Sequence, residues 1–171
     1  MKKVIIIGSP GAGKSTLARK LSDITGIQIY HLDKLFWQPG WVSITRKELT
    51  DKIKDIVTRD SWIIDGNYRS TVEMRIEAAD TIIYLDFPSI VCLWGIFKRR
   101  IMYSGKIRPD ITEGCNEKIN WAFFNWVLTF RPRNRKKLLA MLDKYAENSK
   151  VLILKNRRQA DNFVNGLQKE L

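Results

Sequence analysis

Residues 8–16 read Gly8-Ser9-Pro10-Gly11-Ala12-Gly13-Lys14-Ser15-Thr16, and no other stretch limits the possible folds as tightly. The apolar run Val4-Ile5-Ile6-Ile7 precedes it, and Thr16-Leu17-Ala18-Arg19-Lys20-Leu21 follows as a plausible helix start. A strand must therefore become a helix across a few glycine-rich residues. The spacing fits G-x-x-x-x-G-K-[ST], the phosphate-binding loop, in the strand-to-helix context that the motif requires. Glycines at 8, 11 and 13 permit positive φ and keep side chains out of the way. Successive backbone N–H groups then form an anion nest, helped by the positive end of the following helix. The nine residues are expected to bind ATP, with Lys14 reaching the β- and γ-phosphates and the Ser15 hydroxyl binding Mg²⁺. The dinucleotide pattern G-x-G-x-x-G is not met, because Thr16 stands at its last glycine position.

A chain of 171 residues suggests one domain over 1–171. It holds no 18-residue apolar stretch, so no transmembrane helix and no membrane partner is expected. The opening Met-Lys-Lys-Val-Ile-Ile-Ile-Gly mimics a signal peptide, but its apolar run is too short; the protein is read as cytoplasmic. Cys92 and Cys115 make neither a metal spacing nor a disulfide framework and are read as ordinary thiols. The net charge is +12, and the segment 98–158 carries 16 Lys/Arg against 5 Asp/Glu. Such a segment attracts anions. Nucleotide phosphates, nucleic acid and plain solvation of a basic surface all remain open on charge alone.

Strand signals alternate with helix signals, which argues for a parallel α/β sheet. Strands are expected at 3–7, 27–31, 61–65, 81–86 and 151–154, with helices at 14–25, from 46, to about 78, 88–100, 119–130, 131–148 and from 158. Thr45 and Glu48 form a capping box, with Ile44 and Leu49 at the staple positions. Residues 34–41 read as an aromatic loop with a Pro-Gly turn, and 104–116 as a mobile loop. Residues 119–130 have nine apolar residues in twelve, which predicts a buried helix, with a partner-binding face as the second reading.

The motifs then match a known pattern. Asp65-Gly66-Asn67-Tyr68-Arg69 resembles the D-G-F-P-R segment of adenylate kinases, with Asn-Tyr in place of Phe-Pro. The run Ala79 to Pro88, followed by Lys98-Arg99-Arg100, resembles their fourth strand and lid-base arginines. More closely, the His31 to Trp37 run, the Trp37…Trp41 pair, Asp65 to Tyr68, and Gly114-Cys115…Trp121…Asn125-Trp126 are similar to the adenylate-kinase-related proteins labelled DNA topology modulation proteins.

This resemblance implies a three-layer P-loop NTPase fold: a five-stranded parallel sheet in the order 2-3-1-4-5, helices on both faces, and a lid over roughly 99–135. It implies that Asp65 holds the water shell of Mg²⁺ and that Asp33 acts on the acceptor or on a metal-bound water. It places Arg69 on an acceptor phosphate, with Arg99, Arg131 and Arg133 stabilising the transferring phosphoryl group. Trp37 and Tyr68, with Trp41, lie on the acceptor side, and residues 155–158 pass the adenine. A lid arginine one turn before Arg99 would fall at Gly95, a departure from adenylate kinase. Asp86 is expected to cap the helix at Pro88, and His31 to be structural. The function implied is transfer of the ATP γ-phosphoryl group to a nucleoside monophosphate or another small molecule. The alternative is a nucleotide-regulated DNA-binding protein, although no DNA-reading motif is recognisable.

Overall fold

The structure, a computed structural model, describes residues 1–103, 109–115 and 120–170. Its centre is β1 (Lys3–Gly8), whose residues Val4 to Ile7 are almost wholly buried. A strand apolar on both faces belongs in the middle of a parallel sheet, covered above and below. That is its place: β5 (Trp62–Asp65) and β6 (Thr81–Leu85) flank it, with β2 (Ile29–His31) and β7 (Lys150–Leu154) at the edges. All four pairings are parallel. Counted within the sheet, the order is second, third, first, fourth, fifth, as expected.

Strand residues alternate between two cores. Val4, Ile6, Ile63 and Ile83 meet α1 (Lys14–Thr25), α5 (Ser89–Met102) and α7 (Arg157–Glu170). Ile5, Ile7, Ile64 and Ile82 meet α3 (Arg46–Val57) and α4 (Val72–Ala78). The capping box opens α3: the Glu48 N–H donates to Thr45 Oγ1 at 3.2 Å, and the Thr45 N–H donates to Glu48 Oε2 at 2.7 Å. Ile44 and Leu49 are both buried beside it.

Three segments depart from expectation. Residues 34–41, expected as a loop, lie within regular elements. These are a short helix α2 (Leu32–Phe36), then β3 (Trp37–Gln38) and β4 (Val42–Ser43), paired as a small antiparallel hairpin. The two helices expected at 119–130 and 131–148 are one helix, α6 (Trp121–Tyr145), which carries Pro132 inside it. Pro132 removes the donor for the Leu128 carbonyl; Leu128 is exposed, so water can take that acceptor. Nor is the aromatic half of α6 buried as expected. Val127 and Phe130 are, but Trp121 is 80% exposed, and Trp126 and Leu128 also reach solvent. This helix runs past the sheet from one core to the other, Val127 in the first and Leu142 in the second, and among the described residues the face carrying them meets the cores.

Of the expected mobile loop, 104–108 and 116 lie outside the described residues, as does Ile119 of the expected aromatic helix. The described part, 109–115, is tied to the hairpin. Thr112 Oγ1 donates to the carbonyls of Trp37 and Lys34 at 2.5 and 3.2 Å, and the Gly40 N–H donates to the Gly114 carbonyl at 3.3 Å. The helix and strand bounds elsewhere fall within one or two residues of expectation.

Candidate active site at the strand ends

Parallel pairing brings the C-terminal ends of four strands to one edge. Gly8 lies opposite Leu85, Ile6 opposite Asp65, and Asp65 opposite His31. Open α/β sheets bind ligands at this edge. Here a cleft of about 1710 Å³ opens, lined by the phosphate loop, Asp33, Asp65, Tyr68 and Arg99 among others. One drug-sized ligand fills roughly 300–1,000 Å³. The cleft therefore has room for two.

The loop has the expected form. Gly8, Gly11 and Gly13 take φ of +147°, +78° and +94°. Gly13 caps α1 without any side-chain hydrogen bond to the first turn. The first-turn N–H groups are thus left to a ligand, the arrangement that binds phosphate. Lys14 Nζ folds back to donate to the carbonyls of Gly8 and Ser9 at 3.0 and 3.1 Å. Burial lowers the pKa of its ammonium more than Asp33 and Asp65 raise it, and Arg99 lowers it further.

Asn67 stands out in the sequence only as a departure from the adenylate kinase pattern, with no role attached to it. Its side-chain amide clamps both polar groups of Gly8: Oδ1 accepts from the Gly8 N–H at 3.1 Å, and Nδ2 donates to the Gly8 carbonyl at 2.8 Å. This residue stands where the D-G-F-P-R pattern has Phe. Its segment is held from behind by Arg75, which is fully buried. Arg75 donates to the carbonyls of Gly66, Asn67, Tyr68 and Thr71 at 3.0–3.2 Å. Burial pulls its pKa down, to about 9, against Asp65, which raises it; the guanidinium stays charged at neutral pH.

Gly95, the position without the expected lid arginine, has a steric reason. A Cβ there would sit 2.1 Å from the Gly11 carbonyl oxygen, and a Cβ on Gly11 would sit 2.1 Å from the Cys92 carbonyl oxygen. Helix α5 thus rests backbone to backbone on the phosphate loop, and a side chain at either position would part them. The Arg157 guanidinium lies 3.3 Å from that Cβ position and lines the cleft.

In the same cleft, Tyr68 Oη donates to Asp33 Oδ1 at 3.0 Å. Burial, then Asp33, pushes the Tyr68 phenol well above its ordinary pKa, so it remains a donor. Phe36 meets both Trp37 and Tyr68 with ring centres 5.0 and 4.9 Å apart, and Trp37 meets Trp41 at 5.3 Å. Trp41 has φ +65°, a conformation that costs a bulky residue about 1–3 kcal/mol. Such strain clusters at functional sites. Arg69 extends across the cleft to Asn134 Oδ1 on α6 at 2.8 Å.

Asp65 is buried, and His31 Nδ1 donates to its Oδ1 at 2.6 Å. His31 thus orients the acid, in keeping with a structural role. Among the described residues no group of three His, Cys, Asp or Glu could hold a metal ion. A hydroxyl at Ser15 and a carboxylate at Asp65 fit Mg²⁺, which keeps several waters and leans on substrate phosphates.

The lid arginines divide. Arg99 and Arg133 line the cleft. Arg131 does not: its Nε donates to Asp86 Oδ1 at 2.8 Å, while Arg135 Nε donates to Asp86 Oδ2 at 2.8 Å. Asp86 is therefore no helix cap, and the cap position Pro88 receives no side-chain hydrogen bond. Two guanidiniums on one buried carboxylate outcompete a cap, because charged pairs make the stronger hydrogen bonds.

These features define the P-loop, kinase-like class of α/β folds. Over 80 residues, 47% of this chain, the sequence is 34% identical to the adenylate kinases of Thermotoga petrophila and Thermotoga maritima. The match takes in 36% of each, so the chain spans about a third of the length of the curated relatives it matches. Shikimate kinase from Acinetobacter baumannii, solved in complex with shikimate, aligns over 99% of this chain and 92% of its own, with TM-score 0.63 and 14% identity. That likeness is one of fold. No protein-family model matches the chain.

Proposed function

We propose that the protein is an ATP-dependent kinase, acting as one unit over 1–171 with its lid at 99–135. It passes the γ-phosphoryl group of ATP to a small-molecule acceptor, a nucleoside monophosphate or another compound. The carrying observation is that the phosphate loop with Lys14 and the Tyr68-bonded Asp33 line one cleft. The donor's phosphates lie on residues 8–16, where Lys14 exchanges the Gly8 and Ser9 carbonyls for phosphate oxygens. Mg²⁺, when bound, neutralises charge on those oxygens, with Ser15 and the Asp65 water shell as its protein side. The acceptor lies between Asp33, Trp37, Tyr68 and Arg69. Its oxygen attacks the γ-phosphorus and the bond to the ADP oxygen breaks; a hydroxyl acceptor passes its proton to Asp33, whereas a monophosphate acceptor attacks as the oxyanion and has no proton to pass. Tyr68 holds Asp33 in orientation for that transfer. Arg99 and Arg133 face the developing charge. Arg131, fixed on Asp86, supports the lid from outside the cleft.

A coupled ADP-release assay over a panel of nucleoside monophosphates and hydroxy acids tests this reading. At least one acceptor should stimulate ADP release, and Asp33→Asn should cut that stimulated rate by about 10²-fold or more. Tight ATP binding with no acceptor stimulation anywhere in the panel would count against it.

A further inference from the structure

Helix α5 is apolar on the wrong side for a helix that only covers a sheet. Cys92 and Ile96 face the core, yet Ile90, Trp94, Phe97 and Ile101 are 71%, 61%, 54% and 63% exposed. Their spacing of four, three and four places them within about 60° of the helix circumference. Trp94 and Phe97 stack at 5.9 Å along this line. Lys98 and Arg100 stand one on each side of it, and α5 contains no Asp or Glu. The adjoining α6 has none before Asp143 and exposes Trp121 and Leu128. Monomers seldom leave a contiguous apolar stripe of this kind in water.

We infer that the outer face of α5 docks on the surface of an anionic lipid bilayer. An apolar aromatic and aliphatic stripe edged by cations is the pattern of a helix lying in the membrane interface. Charge decides among occupants. A second copy would bring another +12 chain and set cations against cations, with no acid on α5 to answer them. Nucleic acid would match the charge, but bases stack on flat rings, and two of the four stripe residues are isoleucines. Anionic headgroups match the cations while the acyl boundary takes Ile and Trp alike. This departs from the expectation of no membrane partner, which rested on the lack of a spanning segment; among the described residues, no helix is long and apolar enough to cross. Docking uses the face of α5 away from Gly95, so the phosphate loop stays clear.

The test is co-sedimentation of the full chain with vesicles of phosphatidylcholine alone or mixed with phosphatidylglycerol, read together with tryptophan emission. The protein should partition at least tenfold more onto the anionic vesicles, with a blue shift. The double variant Trp94→Ser/Phe97→Ser should lose at least tenfold of that binding, and Ile90→Ser/Ile101→Ser should behave alike. All four side chains face solvent, so circular dichroism melts should match the parent. Equal partition onto both vesicle types, or unchanged binding by both double variants, overturns the inference. So does a dimer in sedimentation equilibrium, or duplex-DNA retention at physiological salt, that the stripe variants abolish.

Discussion

At the scale of single residues, the phosphate loop leans on a side chain outside it, because the Asn67 amide pairs with both the N–H and the carbonyl of Gly8. Lys14 and Ser15 announce themselves because a phosphate loop needs its glycines, lysine and hydroxyl at fixed spacing. Asn67 and Arg75 serve backbone carbonyls and N–H groups, which any sequence supplies, so no partner residue gives them away. If ATP binds as proposed, Lys14 would leave the Gly8 carbonyl and the Asn67 amide would keep that group paired. Asn67→Ala leaves two loop groups unsatisfied, at about 1–3 kcal/mol. The ATP dissociation constant should rise about tenfold or more in calorimetric titration; parent-like affinity would refute this role. Asp86 gives a pH signature. Burial would raise its carboxyl pKa, but Arg131 and Arg135 outweigh that and hold it below the ordinary value. As pH falls the unfolded chain takes up the proton first, so this stabilisation is present above about pH 4 and is lost as pH drops through the lower folded value. Asp86→Asn should cost about 1–3 kcal/mol near neutral pH, less than a fully buried pair because both guanidiniums reach solvent. Thermal melts from pH 7 to 2 should show the gap to the parent closing at the acid end.

At the scale of elements, legibility followed the length of the pattern. Helix α3 could be read to its first residue because a capping box and a staple both mark it. The hairpin at Trp37–Gln38 and Val42–Ser43 could not, since two-residue strands are too short to show a period. In α6, Pro132 coincides with a change from apolar to basic residues, which reads in sequence as a boundary; the helix nonetheless continues through it, on a side where Leu128 is exposed. The seam between α5 and the phosphate loop was also hidden, since Gly95 reads in sequence only as a missing arginine. Gly95→Ala forces a Cβ onto the Gly11 carbonyl. It should cost about 1–3 kcal/mol in thermal unfolding and weaken ATP binding as well. Loss of stability with full ATP affinity would mean that the seam does not shape the loop.

At the scale of the whole molecule, alternating strand and helix signals sufficed for a parallel α/β sheet, and the resemblance supplied its order. The proposed acceptor pocket was legible only as a list of aromatics and acids. What joins them is the Arg75-held segment, the strained turn at Trp41 and the docked residues 109–115, all products of tertiary packing. The central claim is that these parts carry out phosphoryl transfer in one cleft. Its most direct test follows radiolabelled γ-phosphoryl from ATP into acceptor with the parent, Lys14→Ala and Asp33→Asn. Labelled acceptor is expected from the parent, with a loss of about 10²-fold or more in both variants. No labelled acceptor from the parent despite bound ATP, or equal labelling by Lys14→Ala, would contradict that claim.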